Sequence, residues 1–346
     1  MQDDAFALIV SPSRYFHNYR HTTNALLVYD QVRRHGSMRD DHIVLMLAGD
    51  MACDPRNVRR GDIFHEQSKR TDLYPHNVRP DYRGDEVSVE SFLGVLTDRL
   101  PAGTPASRRL HMGRNSRLLL YLTGHGGDEF LKFHDQFELT AAELAAAIRD
   151  TFALGRCKEL LLLVDTCQAA TLAAQLLPPP PAWWWSVAMD ADEAVEHNTV
   201  RVSGLASSAL GQSSYSHDTD GHIGVALSDR FTYHLHSFLA RAPAGATLSQ
   251  LEAHLQRSRL LSSPVRIDVG RENVTLRSQQ AGSQRVRNFL ERPRAALTAS
   301  RPATSGGSLH TLARWVRASR GGPSAASLSA WRSLEANALR GALPYE

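Results

Sequence analysis

Apolar positions along this chain fall into two rhythms: short unbroken runs, and faces spaced at helical intervals. The clearest runs are Leu118-Leu119-Leu120-Tyr121-Leu122, which leads into Thr123-Gly124-His125-Gly126-Gly127, and Leu160-Leu161-Leu162-Leu163-Val164, which leads into Asp165-Thr166-Cys167-Gln168. Unbroken apolar runs of this length predict buried strands, and the helix-forming stretch Thr140–Ile148 lies between them. Strand, helix, strand is a parallel unit, so both following loops belong at one sheet edge. His125 and Cys167 are therefore predicted to share that edge, where ligands bind in open parallel sheets.

The same rhythm extends in both directions. Ala5–Val10 predicts a strand, Thr22–His35 a helix ended by Gly36, and His42–Leu47 a second buried strand. Two such units ahead of the central pair predict a three-layer α/β sandwich. Arg59–Asp85 is polar and reads as an excursion, and Val87–Leu100 as a helix that starts near Ser88. After Cys167, Ala169–Leu177 predicts a short helix with its N-terminus toward the thiol. Val200–Ser208 predicts a strand and loop, Ala226–Leu239 and Thr247–Leu260 predict helices, and Val265–Leu276 closes the regular pattern. Between these, Pro178-Pro179-Pro180-Pro181 followed by Trp183-Trp184-Trp185 cannot pack as a regular element, so about 176–198 reads as an insertion. From about Arg292, Ser, Ala, Gly and Arg dominate. A catalytic domain over 1–290 and a weakly ordered basic tail over 291–346 follow, with isolated helices at most near Leu309–Arg317 and Leu328–Leu339.

Bulk properties narrow the class. The 346 residues are 42% hydrophobic, enough for a sizeable core. A net charge of +3 gives no basis for a nucleic-acid partner. No apolar run is long enough to span a bilayer, and the opening residues do not form a signal peptide, so the chain is expected either to be cytosolic or to have an incomplete N-terminus. Three cysteines, Cys53, Cys157 and Cys167, give neither a disulfide framework nor zinc spacing, and the odd count leaves a free or intermolecular thiol. The sequon Asn273-Val274-Thr275 matters only in a secretory chain.

A cysteine nucleophile needs a lowered thiol pKa, a neighbouring base and access to substrate. Cys167 at a sheet edge, ahead of a helix and opposite His125, meets those conditions; a buried structural cysteine is the competing reading. His125 between glycines has little apolar packing to make, which weighs toward catalysis.

The motifs Thr-Gly-His125-Gly-Gly and Asp-Thr-Cys167-Gln resemble those of caspases, legumains and related cysteine peptidases. Their separation is compatible with the ~50 residues typical of caspases. Longer stretches are similar to the family of GPI-anchor transamidase catalytic subunits: Ser13–His21, Asp41–Ala48, Asp50–Asn57, Tyr121–Gly127 and Phe130–Phe133. The likeness runs from about Ala5 to Thr275. It implies a caspase-like fold with a mostly parallel sheet and helices on both faces.

For chemistry, the resemblance implies Cys167 as nucleophile, His125 as base and then acid, and Asn18 as the residue that orients His125. The backbone N–H groups of Gly126 and Cys167 are the candidate oxyanion hole. The acyl group of a proprotein's C-terminal signal would pass to the ethanolamine amine of a GPI glycolipid. Legumain-like cleavage after Asn or Asp with transfer to water is the alternative, and a catalytically dead scaffold is a third. Cys53 matches a cysteine that forms a disulfide with a partner subunit. Ser207 and Ser208 match a substrate-pocket strand, with a loop after an edge strand as the plain alternative. Asp40 and Asp81 match positions linked to a structural calcium, although Arg79 stands where an acid is expected and solvated loop aspartates are the other reading. No cofactor is required for the chemistry. The family implies an endoplasmic-reticulum enzyme on the lumenal face, held to the membrane by partner subunits.

Overall fold

The computed structural model describes residues 4–35, 38–68, 71–176, 201–243 and 245–270. Seven strands form one sheet. In chain order they are β1 (Ala5–Ser11), β2 (Ile43–Leu47), β3 (Tyr82–Arg83), β4 (Arg117–Thr123), β8 (Glu159–Asp165), β9 (Val202–Ala206) and β12 (Val265–Val269). Their spatial order is β12-β9-β8-β4-β1-β2-β3, parallel throughout except at β12, which runs antiparallel to β9. Strands covered on both faces need apolar residues at every position, and β1, β2, β4 and β8 are buried along their whole length.

Successive side chains sort onto opposite faces. Leu8, Val10, Leu120, Leu122 and Leu162 pack with α2 (Val89–Thr97) and α3 (Ala141–Ala153) through Phe92, Leu144, Ile148 and Phe152. Ile9, Leu119, Tyr121, Leu161 and Leu163 pack on the other side with α1 (Tyr19–Asp30), α4 (Arg230–Arg241) and α5 (Leu248–Arg257), through Leu26, Leu27, Phe231, Leu235 and Leu255. These are the three layers that the pattern predicts, and the mixed α/β architecture with a mostly parallel sheet is that of a caspase-like fold. Capping fixes the helix starts: Ser88 accepts from Ser91 N–H, Thr140 from Glu143 N–H and Thr247 from Gln250 N–H.

The structure adds to or refines the predicted pattern in four places. Ala226–Leu239 is not one helix: Ala226–Asp229 is a strand, β11, paired antiparallel with β10 (Ser216–Thr219), and α4 begins only at Arg230. The polar excursion ends in β3, whose pairing with β2 its sequence does not announce. A three-stranded antiparallel sheet of β5 (Gly126–Gly127), β6 (Phe130–Phe133) and β7 (Phe137–Thr140) fills the crossover before α3. Ala169–Leu176 is a 3-10 helix. Among the described residues no helix is long and apolar enough to cross a membrane. Most of the Pro- and Trp-rich insertion, Asn273 and the basic tail lie outside the described residues.

Candidate active site

Strands β4 and β8 run in register to their ends, where Thr123 pairs with Asp165. His125 lies two residues beyond the first and Cys167 two beyond the second, so the parallel pair brings both to one carboxyl edge. Gly124 N–H donates to Asp165 C=O at 3.3 Å and ties the two exits together.

Asn18 reaches this edge from the loop after β1. It closes a 3-10 turn, Phe16–Asn18, at the start of α1 and is fully buried. Its Nδ2 donates to Arg14 C=O at 2.7 Å, which fixes the amide so that Oδ1 faces His125 Nε2 at 2.8 Å. An amide oxygen only accepts, so Nε2 carries the proton and Nδ1 keeps its lone pair. His125 is half-buried, and burial holds its pKa below the usual imidazole range, with Arg20 adding to the effect. The ring is therefore neutral near pH 7, with its basic nitrogen opposite the one that Asn18 holds.

A buried polar cluster lies beneath. The His21 ring meets His125 edge-on at 4.9 Å and bonds through Nδ1 to Ser13 Oγ at 2.8 Å; burial keeps it neutral. Asp229 Oδ2 accepts from Asn24 Nδ2 at 2.6 Å, and its Oδ1 faces Arg20 Nε at 3.1 Å. Asp165 accepts from Ser214 Oγ at 2.8 Å and Thr232 Oγ1 at 2.6 Å. Burial raises both carboxyls, and Asp229, repelled also by Asp165, is pushed up to about 7 despite Arg20.

The loop that carries Cys167 is held by the two residues that follow β9. Thr166 N–H donates to Ser207 Oγ at 3.2 Å, and Thr166 C=O accepts from Ser207 Oγ at 3.0 Å and from Ser208 Oγ at 2.8 Å. Ala169 N–H donates to Ser208 Oγ at 3.0 Å. Both serines are fully buried, and β9 is not an edge strand, because β12 lies outside it. Their hydroxyls brace the loop. Gln168 adopts φ 52°, a left-handed turn, with its N–H on Gln212 C=O at 2.8 Å. Cys167 is partly exposed between these anchors.

Two backbone N–H groups on the exit loops carry the expected oxyanion role. Among the described residues the Cys167 N–H makes no hydrogen bond. Lys132 N–H bonds to His125 C=O, so Gly126 and Leu131 form the next, non-bonded pair, and the Gly126 N–H turns away from β6. A side chain at Gly126 would place Cβ 2.5 Å from Thr166 Oγ1 and 2.7 Å from Phe130 O.

The remaining predicted sites separate. Cys53 is exposed after β2, with its N–H on Asp50 Oδ1 at 3.1 Å and its thiol pKa raised chiefly by Asp50. Cys157 is buried, its pKa pushed up to about 12 by burial, and is the structural thiol. Asp40 is occupied by Arg33 at 2.6 Å and by the Tyr29 hydroxyl at 3.3 Å. Asp81 accepts from Leu45 N–H at 2.9 Å and is pushed up to about 6 by burial. Calcium takes six to eight oxygens, several of them carboxylate. Asp40 is paired with an arginine and Asp81 with a backbone N–H, and among the described residues no group of three or more His, Cys, Asp or Glu stands together to hold a metal ion.

Fold and site together place a cysteine and a histidine at one carboxyl edge of a parallel α/β sandwich, with an asparagine behind the histidine. Residues 5–195 match the Peptidase C13 family, and the chain belongs to it. It is 41% identical over 261 residues to a human GPI-anchor transamidase, 40% over 261 residues to the Bos taurus one and 39% over 244 residues to that of Saccharomyces cerevisiae. These alignments cover 75%, 75% and 70% of this chain, and 60%, 60% and 54% of the relatives. The chain thus spans little more than half the length of the relatives it matches.

Proposed function

We propose that this chain is the catalytic subunit of a GPI-anchor transamidase. The observation that supports this most is the Asn18-anchored His125 at the edge that carries Cys167, in a chain about two-fifths identical to proteins of that name. The Cys167 thiol gives its proton to His125 Nδ1 as sulfur attacks the carbonyl carbon at the attachment site of a proprotein. The Gly126 and Cys167 N–H groups receive the oxyanion. His125 then protonates the departing C-terminal peptide and leaves a thioester. The ethanolamine amine of a GPI glycolipid attacks, passes a proton to His125 Nδ1 and releases the thiol with a new amide. Ser207 and Ser208 act on substrate through the nucleophile loop that they brace.

In this reading Cys53 forms a disulfide with another subunit, and the work is done on the lumenal face of the endoplasmic reticulum. Residues 1–290 form the catalytic domain and 291–346 an appended tail. Asn273 is a glycosylation acceptor. No cofactor takes part in the chemistry.

The test is GPI anchoring of a reporter proprotein in cells lacking the endogenous subunit. Wild type restores surface display, and Cys167→Ala and His125→Ala each abolish it. Anchoring that survives either substitution overturns the mechanism.

A further inference from the structure

Transfer to an amine rather than to water requires that the amine be held close by, and nothing in the His125–Cys167 pair does that. A cavity of about 290 Å³ opens where β2 and β3 end, and Thr22, Asp50, Met51, Tyr74 and Arg83 are among its lining residues. Because β2 and β3 run parallel to β4 and β8, it lies on the same carboxyl edge as His125 and Cys167. Two strand spacings, roughly 10 Å, separate β2 from β4, which leads to His125, and three, roughly 14 Å, separate it from β8, which leads to Cys167. The wall between them is short: Thr22 is one helical turn beyond Asn18, and a Cβ at Gly49 would stand 3.1 Å from Ser13 O.

Its polar groups are of both signs and make few bonds of their own. Thr22 is only 2% exposed, and its hydroxyl has no hydrogen-bond partner. The Asp50 carboxylate accepts from the Cys53 N–H, and Arg83 Nε makes a long bond to Pro80 C=O at 3.4 Å. Both charges act on the same two groups, the Tyr74 hydroxyl and the Cys53 thiol, with opposite signs, which places them in one microenvironment. Among the described residues no ion pair joins Asp50 to Arg83. An acid and a base kept apart across one cavity fit a ligand that carries both charges.

We propose that this cavity is a holding site for an aminoethyl phosphate headgroup, with the ammonium toward Asp50, the phosphate toward Arg83 and the Thr22 hydroxyl as a third contact. The choice of ligand rests on the transamidase reading, whose acceptor ends in that group; the cavity and its charges do not. Holding the headgroup on the same sheet edge as the nucleophile, three strands from the one that carries Cys167, raises its local concentration, so that the amine competes with water once the thioester forms.

The test is calorimetric titration of the full chain with O-phosphoethanolamine. Saturable binding is expected, weakened at least tenfold by Arg83→Gln and by Asp50→Asn. Both side chains are exposed, and melting curves on the same samples report folding. Phosphate alone, ethanolamine alone and phosphocholine, which cannot donate to Asp50, bind more weakly. No saturable binding, or binding that neither substitution changes, overturns the site. Binding to phosphatidylethanolamine vesicles that Arg83→Gln abolishes would assign the cavity to an ordinary membrane lipid and overturn the acceptor assignment. If O-phosphoethanolamine binds but reporters are anchored despite Cys167→Ala, the transamidase reading falls while the site stands. If Cys167→Ala blocks anchoring and O-phosphoethanolamine does not bind, the site alone falls.

Discussion

One amide decides which nitrogen of His125 keeps its lone pair, and so which would serve as base in the proposed mechanism. Because Asn18 Nδ2 is committed to Arg14 C=O, Oδ1 can only accept from His125 Nε2–H, and Nδ1 is left for the thiol proton. Asn18→Ala removes the tautomer lock without touching the nucleophile. The expected loss is about 10²-fold in kcat, in the range seen when a catalytic acid-base is disturbed, with KM little changed. A loss confined to KM would show that Asn18 serves binding instead. The pH profile gives a second check. Burial lowers the His125 pKa, so the acid limb of kcat/KM belongs below 6.5, the ordinary imidazole value. An acid limb at or above that value would mean that another group is titrating.

At the scale of elements, the site depends on two strand exits and the segments that brace them. Gly126 shows how tight this is, because an added methyl meets Thr166 Oγ1 on one side and Phe130 C=O on the other, and the backbone carbonyl cannot turn aside. Gly126→Ala is expected to cost ~1–3 kcal/mol of unfolding free energy, read from denaturant titration, as other overpacked positions do. It should lower transfer by at least tenfold, since the N–H assigned to the oxyanion moves with the strand. A variant with full activity would remove Gly126 from the oxyanion hole. Ser207→Ala with Ser208→Ala tests the opposite wall. Thr166 C=O loses both its side-chain donors, at a cost of ~1–3 kcal/mol for a buried polar group left unpaired, and the rate of acyl-enzyme formation falls with it. An acylation rate unchanged in the double variant would show that the serines do not position the nucleophile. The strands and helices that frame this region were legible in the sequence because the strands, covered on both faces, are unbroken apolar runs and the helices carry one apolar face at helical spacing. The β5–β7 sheet and the β10–β11 hairpin were not, since their strands are short and carry polar residues such as Lys132, Glu138, His217 and Asp218. Ala226–Asp229 was absorbed into the following helix because it runs straight into the apolar face of Phe231 and Leu235.

At the scale of the molecule, what could not be read locally is what ties the chain's ends together beneath the site. Asn24 meets Asp229 across 205 positions and Thr123 across 99, and no spacing rule reaches that far. His125 and Cys167 were legible because a strand precedes each, whereas Asn18 came from family likeness and Asp229 from neither. Asp229 also has a thermodynamic signature. An unfolded aspartate ionises near the reference value of 3.8, but burial and Asp165 hold the folded group's pKa at about 7. Between those values the folded state binds more protons than the unfolded one, so this group makes stability fall as pH rises, with the full penalty reached above about 7. The buried imidazoles His21 and His125 act in the opposite direction: their lowered values mean that their contribution is present above 6.5 and is lost as pH falls below it. A melting curve of the wild type alone would mix the two trends. The difference between Asp229→Asn and wild type isolates the carboxyl together with its coupling to Asp165 and to His21, whose Nε2 lies 3.8 Å from Asp229 Oδ2, while His125 is common to both and Asn24 keeps an acceptor in the variant. That difference, variant minus wild type, is expected to climb from about pH 4 to about pH 7 and to level off above, whatever constant offset the lost Arg20 contact adds. A difference that is flat, or that falls across that window, would mean that Arg20 keeps Asp229 ionised and that the buried pair beneath His125 carries one more negative charge than argued here.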